Sequence, residues 1–444
     1  MAVSTGVQIL SAEAVETLSA SKHEPTWMHD RRLAAWRQSQ ELSLPLGTEE
    51  EWRRTDLRGL ELEHYLPLPP QVAAVQSREV LSEFFMQHIA LPETPVGGLV
   101  VHQDGSALWQ MLDDTLQSQG VIFCDLDTAV QHHAELVQAH FMTAAVPVAT
   151  SKFTALHGAL WNGGTFLYVP PGVTVQLPLH ALTAHMTASA MEQSHILLIA
   201  DTQSQVTFVE EEVSGRADLP GLHNGVVEIY LKAGAQVTYL QVQNWSRRLW
   251  GVSYQRAVLA ADSQLRWAVA SLGSRLHWTA QSVLLSEPGS GAHLYGLVFA
   301  DGRQHLDFQT RQEHLAPHTE SDLLFRSALL DRARAVLRGV VHLRPAAQQT
   351  SAYQSTHSLL LSDKARADAL PILEIEADDV RCKHGSTTGQ VDDEQIFYLM
   401  SRGLSRQEAQ RMIVQGFFET VITEFPVEGV QERIRLAIES RIVR

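Results

Sequence analysis

Hydrophobic and polar positions alternate in two ways along the chain, and roughly the first ninety residues follow the helical way. Between Thr26 and Gln40, apolar Trp27, Leu33 and Trp36 are interspersed with histidine and arginine, as on an amphipathic helix. Thr48, with Glu51 three residues later, has the form of a capping box that would open another helix. The pattern predicts an N-terminal helical domain over residues 1–95.

From about Gly97 the pattern changes to short β-type runs separated by glycine, proline or Asp/Ser turns. Examples are GTFLYV from Gly164, SHILLIA from Ser194, GVVEIYLKA from Gly225 and SAYQSTHSLLL from Ser351. Helical spacing nearly disappears until about residue 390. A block of short strands this long is typical of a sandwich, a barrel, a propeller or a β-helix.

Internal repeats help to choose among these folds. The segment Gln205–Phe208 recurs as Gln236–Tyr239 and, more loosely, as Gln264–Trp267, each time after a turn. The copies lie about 30 residues apart, which is in the range of stacked coils or blades. A strand–turn–strand unit with this period favours a β-helix core over a sandwich, and we place it at residues 96–390.

After Gln390 the helical pattern returns and predicts a C-terminal helical domain over residues 391–444. Asp392 or Asp393 can cap a first helix that ends at Gly403, and Ser405 with Glu408 forms a capping box for the next. On that second helix the pattern favours core packing for the pair Phe417–Phe418. A glycine inside the helix, Gly416, suggests a close approach of another backbone.

Composition limits the classes of function. The 444 residues carry a formal net charge of −16, which argues against nucleic acid as the main partner. Two cysteines in the whole chain predict no disulfide framework. The first ten residues do not have the pattern of a secretion signal, and no apolar run reaches the roughly 20 residues of a membrane span. We therefore expect a soluble protein in a reducing, cytoplasmic setting.

Nucleotide-hydrolysis, dehydrogenase, hydrolase and zinc-protease motifs are absent from the sequence. Acidic runs such as Glu210–Glu212 on a β-helix would suit a carbohydrate-active enzyme. Adjacent acids in a strand point to opposite faces, however, and we expect these to be solvated. The pair His314 and His318 would share a face if it lay on a helix, but its surroundings predict strand and loop, which disfavours a metal site there.

The segment Ala377–Gly385 carries the candidate chemistry. In an extended strand, Cys382 and His384 point to the same side, about 6–7 Å apart, and together they could bind a metal or the edge of a cluster. Neighbouring Lys383 makes the surroundings cationic, which would favour the thiolate. The alternative is a small buried cysteine beside an ordinary hydrogen-bonding histidine. Since an iron–sulfur cluster takes about four protein ligands, a second chain would have to supply the others.

The stretch LEIEADDVRCKHGSTTGQVDDEQIFYLMSRGLS, from Leu373 to Ser405, closely resembles the C-terminal signature of the SufB/SufD family of the SUF iron–sulfur cluster assembly system. Its Cys-x-His-Gly form is similar to that of the SufD members. Two further segments also resemble the family, EEWRRTDLRGL from Glu50 and GTFLYVPPGVTVQLPL from Gly164.

The resemblance implies a right-handed parallel β-helix flanked by helical domains, in a cytoplasmic complex with a SufB-like subunit and a SufC-like ABC ATPase. It implies that His384, and less directly Cys382, contribute to a transient iron–sulfur cluster shared with the SufB-like partner. No cofactor would be stably bound by this chain alone, and two copies of it could associate when the partner is missing.

The family resemblance also implies a docking segment for the ATPase near the C-terminus, made up of Ser401, Arg402, Gly403, Met412, Gly416, Phe417 and Phe418. The chain would then be a non-catalytic scaffold whose ATPase activity resides in a partner. The alternatives are a β-helix carbohydrate-active enzyme and a membrane transporter subunit. Absence of a spanning segment disfavours the transporter.

Overall fold

The computed structural model describes residues 10–67, 71–89 and 95–442. The N-terminal segment in which the sequence predicts no secretion signal falls almost wholly outside these ranges. Ten α-helices lie in the described ranges, and they are α1 Ala12–Ser21, α2 Thr26–Glu41, α3 Glu83–Ile89, α4 Asp114–Ser118, α5 Leu126–His132, α6 Ala134–His140, α7 Lys152–Leu160, α8 Asp393–Ser401, α9 Arg406–Ile422 and α10 Glu428–Ile442. Short 3₁₀ turns occur at Leu62–His64, Arg78–Val80 and Val148–Thr150.

Strands occupy most of the middle of the chain. They are β1 Gly98–Gln103, β2 Ser106–Leu112, β3 Ile122–Asp125, β4 Gly163–Val169, β5 Leu179–His185, β6 Met191–Glu192, β7 Ser194–Ala200, β8 Gln205–Ser214, β9 Gly221–Leu231, β10 Gln236–Asn244, β11 Leu249–Leu259, β12 Gln264–Ser271, β13 Leu276–Leu285, β14 Gly291–Ala300, β15 His305–His314, β16 Glu320–Leu329, β17 Arg334–Leu343, β18 Thr350–Leu360, β19 Arg366–Ile375 and β20 Val380–Gln390.

Successive strands alternate between two sheets. The first sheet has the order β2-β1-β5-β8-β10-β12-β14-β16-β18-β20, and the second has the order β19-β17-β15-β13-β11-β9-β7-β4-β3. Because each strand from β9 to β18 pairs in parallel with the strands two before and two after it, the chain winds as a solenoid of about eight turns. The predicted fold class, a mainly β protein with a parallel β-helix flanked by helices, is confirmed.

Register places the same strand position of each coil in one column inside the β-helix. One such column in the first sheet runs Phe208, Tyr239, Trp267, Leu294, Leu323, Gln354 and His384. The aromatic rings of its first three members follow one another at centroid distances of 5.3 and 5.4 Å. Stacked apolar columns of this kind exclude water from the interior and hold neighbouring coils in register.

The helices cover the outer faces of both sheets. Near the N-terminus, Trp52 stacks on Trp278 of β13 with ring centroids 4.0 Å apart. At the other end of the chain, Phe418 of α9 lies fully buried in a cluster with outward-pointing side chains of the first sheet, among them Leu240 and Phe299. In the described part of the chain, no helix has both the length and the apolar character needed to cross a bilayer.

Two local predictions differ from the structure. The segment after Gly97 contains four helices, α4 to α7, where the pattern predicts strands. Residues 48–54 form turns rather than a helix opened by Thr48. Trp52 of the turn segment and residues of α5, α6 and α7 pack against the second sheet, and Leu116 of α4 packs in the interior of the β-helix. Tertiary contacts rather than helical periodicity therefore hold these short segments.

The three glutamates of β8 are buried, which contradicts the predicted solvated acids. Glu210 and Glu212 point into the β-helix, where Glu210 accepts a hydrogen bond from the Tyr239 hydroxyl at 2.6 Å. Glu211 points outward and forms an ion pair with Arg433 of α10. Although burial opposes ionisation, hydrogen bonds from His180 and His88 and the charge of Arg433 lower the pKa of Glu211.

A buried carboxyl fastens the loop between α6 and α7 to the second sheet. Glu228 of β9 accepts hydrogen bonds from the backbone N–H groups of Met142, at 2.6 Å, and Val146, at 3.0 Å. Burial raises the pKa of Glu228 to about 7. The protonated carboxyl is therefore favoured in the folded state relative to the unfolded chain.

We expect Glu228→Gln to remove part of the pH dependence of folding. Because the folded pKa lies above the unfolded value, the contribution of Glu228 to stability is fully present below the unfolded pKa and falls as the pH rises through about 7. The unfolding free energy of the parent chain, relative to the variant, should therefore drop by roughly 2–3 kcal/mol between pH 4.5 and pH 8 in urea titrations.

The matched control is Glu320→Gln, at an exposed acid on β16. The unfolding free energies of the parent chain and of Glu320→Gln should run parallel across the same pH range. A constant offset between the parent chain and Glu228→Gln would contradict the expected linkage.

Candidate functional site at the open end of the β-helix

The last coil of the β-helix is open. Among the described residues, β20 pairs with β18 and β19 pairs with β17, and neither strand has a neighbour on its other side. Every residue of β20 is exposed or half-buried. At the opposite end the sheets instead finish in antiparallel pairs, β1 with β2 and β3 with β4. The open end therefore presents two rows of backbone hydrogen-bonding groups that the described part of the chain leaves unpaired.

Cys382 and His384 lie on this open edge and continue two interior columns. Register pairs Cys382 with Ala352 and His384 with Gln354, and both of those β18 residues are buried. Cys382 and His384 therefore lie on the same, inward-facing side of β20, as the strand period predicts. Lys383 pairs with Tyr353 on the outward face.

The surroundings of the two side chains differ. Cys382 is half-buried and packs on a cluster formed by Val341, Leu343, Ala347 and Ala352. Burial raises the pKa of the Cys382 thiol, so the expected shift toward thiolate is wrong. Its apolar neighbours come from other coils and outweigh the adjacent Lys383. His384 is exposed, and no side-chain hydrogen bond holds it within the described ranges.

Directly beneath His384 in its column lies a buried amide. Gln354 is fully buried, and neither atom of its amide has a hydrogen-bond partner in the described part of the chain. The Cα of Gly339 on the second sheet faces this amide so closely that a Cβ there would stand 2.0 Å from Nε2. The open end thus combines an exposed imidazole and a half-buried thiol, which could bind an incoming ligand, above a buried amide without a hydrogen-bond partner among the described residues.

The second cysteine and the pair His314 and His318 add no further ligand at this site. Cys124 is on β3, at the opposite end of the second sheet from β19. The imidazole of His314 is buried and bonded to the hydroxyls of Thr319 and Ser321, and His318 lies exposed in a turn. The described residues contain no group of three or more His, Cys, Asp or Glu side chains arranged to bind a metal ion.

The acids that suggested a carbohydrate-active enzyme do not form an accessible groove. Glu210 and Glu212 lie inside the β-helix, and each is almost completely buried. Glu211 lies under α10. A polysaccharide could not reach this set of carboxyls without opening the coil, so the geometry gives no support to that alternative.

The segment predicted to dock an ATPase lies on α8, α9 and the turn between them. Both capping predictions are confirmed, with Asp392 capping α8 and Ser405 and Glu408 forming a reciprocal capping box on α9. Gly403 takes a positive φ of 97° in the turn. Arg402 reaches back to α8, where its guanidinium lies over the ring of Tyr398 and donates to the hydroxyl at 3.0 Å.

Burial divides the predicted docking residues into two groups. Phe418 is fully buried, as its predicted core packing requires, and is not accessible to a partner. Phe417 is half-buried against Arg326. A Cβ at Gly416 would meet nothing within 4 Å, so the expected close backbone approach is wrong. Met412 is exposed.

The exposed apolar residues of α8 were not singled out from the sequence. Phe397 is 73% exposed, and Tyr398 and Met400 are also largely exposed. The motif F-Y-L-x-S-R-G contains these residues, but only the structure shows that α8 buries Ile396 and leaves this apolar face uncovered.

Comparison with known proteins supports the family resemblance. The family model described as "SUF system FeS cluster assembly, SufBD core domain" matches residues 182–417, and the model "SufBD protein N-terminal region" matches residues 12–181. The chain is 32% identical to the iron–sulfur cluster assembly protein SufD of Bacillus subtilis, over 97% of each chain. It is also 30% identical to SufB of the same organism, over 96% of this chain and 92% of that protein.

A protein of Staphylococcus saprophyticus described as an iron–sulfur cluster assembly SufBD family protein is 30% identical, over 96% of this chain. The two family models cover residues 12–417 without a gap, and they include the β-helix and the edge strand that carries Cys382 and His384. The chain therefore belongs to the SufB/SufD family of the SUF system for iron–sulfur cluster assembly.

Proposed function

We propose that this chain is a non-catalytic scaffold subunit of the SufD type, which pairs with a SufB-like subunit and builds a transient cluster at their shared interface in the cytoplasm. The observation that carries the proposal is the position of His384 and Cys382 on the unpaired edge strand β20. A site on an unpaired edge strand would be shared with a partner, because any chain that pairs with β20 also approaches these two side chains.

The open edges favour a partner with the same architecture. Backbone groups of β19 and β20 gain hydrogen bonds if another parallel coil or an edge strand pairs with them. Exposed Tyr353 and Ile375 at this end add apolar surface that a partner would cover. Since SufB of Bacillus subtilis is similar over nearly the whole chain, a SufB-like subunit would offer a matching β-helix end.

The number of available ligands supports a shared cluster. An iron–sulfur cluster takes about four protein ligands, mostly thiolates. This end of the chain offers one exposed imidazole and one half-buried thiol with a raised pKa. The remaining ligands would come from the SufB-like partner, and the cluster would be cargo that leaves for an acceptor protein.

The apolar face of α8 supports docking of a SufC-like ABC ATPase. Phe397, Tyr398 and Met400 form an uncovered patch of the kind that protein interfaces use. Of the residues named from the sequence, Ser401, Arg402, Gly403, Met412 and Gly416 remain accessible for the same surface, whereas Phe418 serves the core.

The connection between the two surfaces suggests how ATP could act. The N-cap of α8, Asp392, follows the end of β20 by two residues, and α9 packs against β14 and β16 of the same sheet. Closure of two ATPase subunits would move α8 and α9. That movement would reach β20 directly and open the interface so that iron and sulfide meet His384.

We expect His384→Ala to abolish cluster assembly while the complex still forms, because an imidazole is lost but the backbone edge is unchanged. The complex would be co-purified from cytosol, its partners identified by mass, and its labile iron and sulfide measured, with at least a tenfold loss in the variant. Lys383→Ala, on the opposite face of the same strand, is the matched control and should keep the parent level. Equal cluster content in all three proteins would refute the assigned role of His384.

We expect Phe397→Ser to weaken binding of the ATPase at least tenfold, because it removes the most exposed apolar side chain of α8. Binding would be measured with purified SufC-like protein, and helicity by circular dichroism should stay unchanged. The control Leu436→Ser removes a side chain that is 55% exposed on α10 and should not change the affinity. Similar losses in both variants would indicate that α8 is not a specific docking surface.

A further inference from the structure

A small cavity lies on the outer face of the second sheet, away from the open end. Three arginines line it, Arg256 of β11, Arg311 of β15 and Arg338 of β17, together with Ser282, Gln309 and Glu51. Its volume is about 120 Å³. The loop between α6 and α7 closes one side, through Ala145, Val146 and Thr150.

Strand register brings the three arginines together. Arg256, Ser282 and Arg311 occupy one row across β11, β13 and β15. The neighbouring row, two residues away on the same face, places Gln309 beside Arg338. The cluster is therefore built into the rigid sheet and does not depend on flexible loops.

Two of these arginines lack a carboxylate partner among the described residues. The Nε of Arg256 donates to the Ser282 hydroxyl at 2.8 Å, and burial lowers the pKa of the Arg256 guanidinium. The Nε of Arg338 is buried without any hydrogen-bond partner in the described part of the chain. Burying a guanidinium without a hydrogen-bond or carboxylate partner costs free energy unless an anion binds it.

The third lining arginine, Arg311, and two arginines close to the cavity are paired with carboxylates. Arg311 approaches Glu313 and Glu374 at 3.6 Å. Arg334 and Arg344, on the same strand as Arg338 and just after it, form ion pairs with Asp368 and Glu313 at 2.6 and 2.8 Å. The one carboxylate lining the cavity, Glu51, forms no ion pair with the three arginines in the described structure. Glu313 and Glu228 act on Arg256 only from beyond ion-pair distance, so no carboxylate of the described structure directly contacts Arg256 or Arg338.

We propose that this cavity binds one small oxyanion of the phosphate class, free in solution. Guanidinium groups bind phosphate oxygens through paired N–H donors, and several of them around one cavity suit a tetrahedral anion. The volume is far below the roughly 300–1,000 Å³ of sites for drug-sized ligands, so a nucleotide would not fit. The bound anion would link the sheet to the loop between α6 and α7.

Calorimetric titration of the full chain with inorganic phosphate tests the proposal, with sodium chloride at the same ionic strength as the reference. We expect saturable binding to the parent chain and a rise in melting temperature with phosphate concentration, because a ligand of the folded state stabilises it. Arg338→Gln should bind at least tenfold more weakly. Arg303→Gln, at an exposed arginine in a turn, is the matched control and should bind like the parent.

Three results would overturn the proposal. They are a parent chain without saturable phosphate binding, an Arg338→Gln variant with the parent's affinity, and an Arg303→Gln variant that loses as much affinity as Arg338→Gln. The last result would mean that phosphate responds to overall charge rather than to this cavity. Circular dichroism of Arg338→Gln checks that the variant is folded. The side chain of Arg338 is half-buried, so we expect its replacement to leave the interior of the β-helix intact.

Discussion

In-register parallel pairing is the constraint on which the rest of the structure depends. Each strand from β8 to β18 is hydrogen-bonded on both sides by strands one coil away, so the backbone is satisfied only within a stack. The same pairing aligns side chains in columns, directs one face of each sheet inward, and leaves the other face for the flanking helices. A stack also has ends, and the strands of its last coil have no neighbouring coil to pair with on one side.

The sequence repeat reflects this in-register pairing of strands. Gln205, Gln236 and Gln264 prove to be register partners, as are the residues that follow each of them. Turn chemistry and strand period are local properties, which is why the β-helix could be predicted. The burial of Glu210–Glu212 could not be predicted, because the groups that pair with these acids come from other coils and from the last helix. They include Tyr239, His180 and Arg433.

The candidate site shows the same division. That Cys382 and His384 face one way follows from the two-residue period of a strand, and the sequence predicts it. The direction of the thiol pKa depends on Val341 and Leu343, which are distant in sequence, and the prediction from the adjacent Lys383 is wrong. On α8 and α9, the capping residues are predicted correctly because they act within one turn. Which side of α8 is buried is decided by packing against α9, and the exposed Phe397 and Tyr398 were therefore missed.

The open end also bears on how this chain behaves at high concentration. A copy whose β19 and β20 are unpaired presents the same hydrogen-bonding groups as any other such copy. Self-pairing of these copies rises with the square of their concentration, however stable each folded chain is. In the proposed complex, balanced synthesis of the two subunits, or degradation of copies without a partner, would keep this self-pairing low.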